Sequence, residues 1–204
     1  MIESGITLRV KNTFNPTHPG TRIVSDRESI SGVIKAVTVI RGQTLLTLEG
    51  RGMLGVPGVV ARAFGAIARM HISVSLITQA SSEQSICFSV PAPVTAIALT
   101  VLREEFQREL DRRDIDDVLA LQDVAIITVV GAGMRHTPGI AGQVFSALGV
   151  ERINVIAIAQ GSSECSISLI VEALEADRAV TAIHALISAQ SSIANSVELE
   201  RNLA

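Results

Sequence analysis

Gly50-Arg-Gly-Met-Leu-Gly55 has the G-x-G-x-x-G spacing of a loop that cradles phosphate, and Gln79-Ala-Ser-Ser-Glu83 gathers an amide, two hydroxyls and a carboxylate. Backbone N–H groups at a helix N-terminus carry partial positive charge and suit an anion. A Gln amide donates and accepts, so it can exchange hydrogen bonds with a hydroxyl. Dinucleotide binding is the first chemistry to weigh, and it fails on three counts. A matching loop later in the chain has His136 where the third glycine belongs, no acidic residue ends the following strand to hold a ribose, and that strand leads into a hairpin. A Walker lysine is also missing. What remains is a niche where main-chain groups grip the carboxylate and ammonium of a small amino acid while a Gln reads its side chain.

Both motifs occur twice. Residues 50–90 align without a gap on 131–171: Pro57-Gly58 answers to Pro138-Gly139, and Gln79-Ala-Ser-Ser-Glu83 to Gln160-Gly-Ser-Ser-Glu164. One folding unit is used twice. Packing would repeat the apolar pattern without repeating Gln and Ser-Ser-Glu. A single copy would be explained by glycines that only turn the chain and a Gln79 that only satisfies a backbone group; recurrence favours two related binding pockets.

Catalytic groupings are absent from the sequence. His18, His71, His136 and His184 have no metal-ligand spacing, and Ser81-Ser82 and Ser162-Ser163 have no adjacent base. Glu104-Glu105 and Asp116-Asp117 read as solvated charges. The chain is expected not to be an enzyme on its own.

The elements that must position these loops follow from periodicity. A hydrophobic content of 48% over 204 residues supports a full core split between two modules. The formal charge of −3, scattered Lys and Arg, five Phe and no Tyr or Trp argue against a nucleic-acid partner. No apolar run approaches the roughly 20 residues of a membrane span, and no signal-peptide pattern opens the chain, so no membrane partner is expected. Cys87 and Cys165 lack metal-ligand spacing and read as buried, reduced strand thiols, which suits a cytoplasmic setting.

Along the chain, residues 5–11 read as a strand and 12–20 as a turn-rich loop. Residues 34–40 match 115–121 as strands, each followed by a polar turn, Arg41-Gly42 or Gln122-Asp123, and a second strand at 44–49 or 124–130. A helix follows each glycine loop, with Pro57 and Pro138 in its first turn and an apolar stripe of Val60, Phe64, Ile67 and Ala68 in the first copy. Strands at 72–78 and 85–90, and at 153–159 and 166–171, are closed by helices at 94–110 and 176–187.

This order predicts an α+β fold of two ferredoxin-like βαββαβ units, antiparallel sheets with helices on one face. The first unit has its closing strand at 115–121; after the second unit's last helix only the weak candidate 188–195 remains. The orphan strand 34–40 is therefore expected to close the second unit, leaving the first inserted within it.

The runs Leu76-Ile-Thr-Gln-Ala-Ser-Ser-Glu-Gln-Ser-Ile86 and Ile156-Ala-Ile-Ala-Gln-Gly-Ser-Ser-Glu-Cys-Ser-Ile167, with Val129-Val-Gly-Ala-Gly-Met134, resemble the tandem ACT domains of aspartokinases over nearly the whole chain. Gly5 to Pro16 with Pro19-Gly-Thr21 is similar to the last strand and loop of the family's kinase domain. The resemblance implies four parts: residues 1–30, a kinase-domain remnant and linker; 44–121, the first ACT domain; 34–40 plus 122–190, the second; and 191–204, a tail.

It also implies a regulatory region that senses an end-product amino acid and feeds back on aspartate phosphorylation, in lysine, threonine and methionine biosynthesis. The family's effector contacts fall here on Met53, Leu54, Gly55, Val56, Pro57 and Gly58, on Ser73, Val74 and Ser75, and on Gln79, Ser81, Ser82 and Glu83. In the second copy they fall on Met134, His136, Thr137, Pro138 and Gly139, on Asn154, Val155 and Ile156, and on Gln160, Ser162, Ser163 and Glu164. Lysine-sensitive relatives carry an acidic residue where this chain has Ser75. With Ser75 and Ile156 uncharged, an ammonium would be buried unpaired, so threonine is favoured over lysine. The resemblance further implies a homodimer through the ACT domains and a catalytic domain or subunit as partner. No cofactor is expected in this chain; ATP and Mg would belong to the kinase domain. The alternative is a dimerisation module, or a separate regulatory subunit sensing lysine.

Overall fold

The computed structural model describes residues 6, 8–23, 33–80 and 84–188; the polar stretch 25–29, the tail 191–204 and the strand candidate 188–195 beyond Ser188 lie outside them. The chain divides into two compact units, Met1–Gly32 and Val33–Ala204.

In the first unit β1 (Leu8–Val10) pairs antiparallel with β2 (Thr21–Ile23), Leu8 opposite Ile23 and Val10 opposite Thr21. The strand expected over 5–11 is thus shorter, and its partner comes from a segment with no strand signal of its own. The connecting loop turns on side-chain acceptors: Phe14 N–H donates to Asn12 Oδ1 at 2.9 Å, and Gly20 N–H to His18 Nδ1 at 3.1 Å.

The second unit contains β3 (Ala36–Glu49), α1 (Val59–Arg69), β4 (Leu76–Gln79), β5 (Ser85–Pro91), α2 (Thr95–Glu105), α3 (Gln107–Arg112), β6 (Asp117–Val130), α4 (Ile140–Val150), β7 (Ala157–Gln160), β8 (Ser166–Glu172) and α5 (176–188). One antiparallel sheet runs in the order β4-β5-β3-β6-β8-β7.

The two long central strands belong to both halves. In β3, residues 43–49 pair with β5 and with the start of β6, whereas Ala36–Ile40 pairs with Ile126–Val130. The first part of β3, Ala36–Ile40, therefore closes the second copy's sheet, and the first copy is inserted. The two strand pairs expected on either side of Arg41-Gly42 and Gln122-Asp123 are instead single strands with an irregularity in the middle. Gly42 (φ 64°) and Asp123 (φ 55°), matched positions of the repeat, both take left-handed backbone there. A lone left-handed residue makes a bulge and a bend when both flanks keep their partners, and a reversal only when they do not.

Alternation along the strands sorts residues between faces. Leu46, Leu48, Ile86, Phe88, Val90 and Val118 pack with Val59, Ala63 and Ile67 of α1 and with Ala98, Leu102 and Phe106 around α2. Their counterparts Ile127, Val129, Ile167, Leu169 and Val171 pack with Val144 and Leu148 of α4 and with Ala176, Ala179 and Ile183 of α5. On the face away from these helices, Leu45 and Leu76 of the first copy meet Val124, Ile126, Ala157 and Ile170.

Several helix details differ from expectation. Pro57 and Pro138 precede the left-handed N-caps Gly58 (φ 90°) and Gly139 (φ 88°) and do not enter the first helical turn. Such φ values favour glycine, which lacks the Cβ that clashes there. The buried stripe of α1 is Val59, Ala63, Ala66 and Ile67; Val60 and Ala68 are exposed and Phe64 is half-buried against Phe88. The helix expected over 94–110 is broken at Phe106, which is fully buried. Strands β4 and β7 each begin about one turn of chain later than expected, at Leu76 and Ala157. Cys87 and Cys165 are free and half-buried, where full burial was expected.

Candidate functional site

Each glycine loop leaves its central strand by a short 3-10 turn, Arg51–Met53 or Ala132–Met134, and then caps a helix. The buried Met53 and Met134 pin the loops into the two helix-side cores. Gly50 and Gly131 permit a close approach. A Cβ on Gly50 would lie 2.5 Å from the Asp114 carbonyl oxygen and from Ile115 Cα, and one on Gly131 would lie 2.1 Å from the Val33 carbonyl oxygen. Val33 and Ile34 thus serve the second loop as Asp114 and Ile115 serve the first.

In the first copy the loop, the start of α1 and the end of β4 enclose a cleft of about 430 Å³. Its lining is Met53, Gly55, Val56, Pro57, Gly58, Val59, Val60, Gln79 and Ile86. The volume falls within the range of small-molecule pockets. The first amides of α1 have no acceptor within the helix, and Gly58, Val59 and Val60 at its start line the cleft. Gln79, the last residue of β4, brings the side-chain amide. No charged side chain lines the cleft among the described residues. It combines main-chain donors for a carboxylate with one neutral amide and apolar walls.

Six of the sites expected from sequence meet in this cleft: Met53, Gly55, Val56, Pro57, Gly58 and Gln79. Val59, Val60 and Ile86 were missed; the first two follow the loop directly and the third is the strand neighbour opposite Gln79. Leu54 is exposed and does not line the cleft. Ser73, Val74 and Ser75 lie outside it: Val74 packs on the helix-side core, and Ser75 N–H donates to the Ser89 carbonyl at 3.0 Å. Ser81, Ser82 and Glu83 lie outside the described residues.

In the second copy the hairpin turn reaches the loop. His136 N–H donates to Glu164 Oε2 at 2.9 Å, and His136 Nδ1 lies 3.9 Å from the same oxygen. His136 takes left-handed backbone (φ 58°), as does its counterpart Gly55 (φ 68°). Thr137 Oγ1 donates to the Gly133 carbonyl at 2.7 Å, which ties the loop to itself. Met134 is core, while Pro138, Gly139, Gln160, Ser162 and Ser163 are exposed. Asn154 is exposed, Val155 packs on the helix-side core and Ile156 on the opposite face. Neither a metal-holding cluster nor a helix long and apolar enough to cross a membrane occurs among the described residues.

Outside the cleft, Arg62 organises the α1–α2 surface. Its Nε donates to Glu105 Oε1 at 3.0 Å, Nη1 to Glu109 Oε1 and Nη2 to the Glu105 carbonyl, and its guanidinium lies 4.5 Å above the Phe106 ring. Hydrogen bonds from Arg62, and then from Arg69, hold the Glu105 carboxyl below the ordinary carboxylate range; Arg62 does the same to Glu109.

Comparisons with known proteins agree with this architecture. The ACT domain family profile matches twice, over residues 46–106 and 127–186. The bifunctional aspartokinase/homoserine dehydrogenase of Haemophilus influenzae is 42% identical over 184 residues, covering 90% of this chain and 23% of that protein. The solved structure of the allosteric aspartate kinase of Clostridium acetobutylicum superposes with a TM-score of 0.80 at 25% identity, over 91% of this chain and 43% of that one. The regulatory subunit of aspartate kinase from Thermus thermophilus, free of ligand, gives a TM-score of 0.62 at 26% identity, over 76% of this chain and 99% of the subunit. The chain spans less than a quarter of its bifunctional relative, and what it matches is the regulatory ACT pair.

Proposed function

The chain belongs to the ACT domain family, and from that premise we propose that it is the amino-acid-sensing region of an aspartate kinase, with threonine as the end product it reads. Effector binding here would feed back on aspartate phosphorylation by a kinase domain or subunit, which would itself hold ATP and magnesium. The observation carrying this reading is the first-copy cleft, where unsatisfied helix amides and Gln79 converge in a niche without a charged wall. A lysine ammonium buried there would lack a partner among the described residues, at a cost of several kcal/mol. A threonine hydroxyl can instead exchange hydrogen bonds with the Gln79 amide. A coupling of about 1–3 kcal/mol between the cleft and the remote active site suffices for feedback.

Association through the sheet ends is part of the same reading. β4 and β7 are the terminal strands of the sheet order, and Ile77 and Ile158 on them are exposed. Unpaired strand edges are templates for a second copy. The free thiols of Cys87 and Cys165 support a reducing, cytoplasmic setting.

Titration calorimetry of the chain against threonine, lysine and methionine tests the reading. Saturable threonine binding is expected, with lysine at least tenfold weaker. Tight lysine binding without a threonine response would overturn the choice of effector, and silence towards all three would overturn the sensing role. Sedimentation of the same samples should give twice the monomer mass.

A further inference from the structure

A second cleft of about 300 Å³ shares Met53, Val56 and Val59 with the first as a common wall. Beside Gly52 and Ile115, its remaining lining is charged: Arg62, Arg108 and Arg112, with Glu109 and Asp114. These charges are not equally committed. Arg62 is bound to Glu105 and Glu109 and stacked on Phe106, so it and Glu109 largely neutralise each other. Arg108 and Arg112 stand one turn apart on α3 and make no ion pair within 4 Å among the described residues, although the charge of Arg108 adds weakly to the hold on Glu109. Like charges at that spacing repel slightly. Two arginines therefore line a concave space in which, among the described residues, Asp114 is the one lining carboxylate without an ion pair. The fold does not require an arginine at position 62, since the matching residue in the second copy is Gln143.

We propose that this cleft binds a small phosphate-bearing anion through Arg108 and Arg112. Guanidinium forks match the tetrahedral oxygens of phosphate, and two together supply charge-assisted bonds that one exposed arginine does not. The concave shape and small volume fit a metabolite-sized ligand better than an acidic protein segment. Because Met53, Val56 and Val59 line both clefts, an occupant of one bears on the wall of the other. A phosphate effect on amino-acid affinity follows, though that consequence rests on the sensing function proposed above.

The test is calorimetry of the full chain in chloride buffer without any amino acid, so its outcome is independent of the sensing role. Inorganic phosphate, glycerol phosphate and succinate are the probes. Saturable one-site binding of phosphate or glycerol phosphate is expected. Tighter binding of glycerol phosphate identifies an organic phosphate as ligand, and equal or weaker binding identifies free phosphate. Arg108→Ala/Arg112→Ala should weaken the interaction at least tenfold, while Arg9→Ala leaves it unchanged. Both arginines are exposed, and unaltered circular dichroism and melting of the double variant would exclude misfolding as the cause. Absence of binding, preference for succinate, or equal weakening by Arg9→Ala would each overturn the assignment.

Discussion

His136 and Glu164 are joined by a 2.9 Å hydrogen bond from the loop amide to the carboxylate, which ties the second glycine loop to the hairpin turn that follows β7. A carboxylate of the chain itself thus occupies a loop N–H of the kind a free amino acid would seek.

Glu164→Ala should release that amide. Glu164 is only half-buried, so the expected cost is about 1 kcal/mol, seen as roughly fivefold faster hydrogen exchange at His136. Glu164→Gln, which keeps a neutral acceptor, should fall between. Exchange unchanged in Glu164→Ala would show that the contact does not hold the loop in solution.

Gln79→Ala should weaken threonine binding by about tenfold, the worth of one or two net hydrogen bonds, without moving the melting temperature. Gln160→Ala run alongside by calorimetry tells whether the second copy takes part. If neither substitution changes the binding isotherm, Gln does not read the ligand.

Gly50→Ala and Gly131→Ala should destabilise the fold by about 1–3 kcal/mol, because the new Cβ meets backbone that cannot move aside. Their φ angles, 170° and −177°, are ordinary extended backbone, so the cost is contact and not conformation. Urea unfolding measures it. A loss below a few tenths of a kcal/mol in both would mean the crossing segments sit further from the loops.

The Arg62 network makes stability depend on acidity in one direction. Glu105 and Glu109 titrate lower when folded than unfolded, so their contribution is present above the ordinary carboxylate value of about 4.3 and is lost as pH falls through the depressed native values. Partial exposure limits it to about 1 kcal/mol. Urea midpoints at neutral pH and near pH 3 should therefore differ less for Arg62→Gln than for the parent. Lost packing on Phe106 lowers the variant at every pH, so the change of slope is the diagnostic reading. Parallel slopes would rule out the carboxylates as its source.

The repeat made much of the molecule legible from residues alone. Matching Gly50 with Gly131 and Gln79 with Gln160 located the loops and strand ends, and the missing final strand pointed to residues 34–40 as its substitute. What stayed hidden depended on partners distant in sequence. Gly42 and Asp123 look like turn residues, yet each flank keeps its neighbour and the strand only bends. Phe106 lies in an unbroken helical pattern, and only the pocket that buries it explains the break there. Ser73 to Ser75 came from resemblance, and the cleft forms without them. Arg108 and Arg112 gave no signal because the loop they face is about fifty residues away.

Since the two fourteen-residue strands β3 and β6 run through both copies of the repeat, the second unit has no seam between them. Excising either copy would strip the other of a strand, so neither can be transplanted or lost alone. A duplication that exchanged strands in this way cannot readily be undone one half at a time.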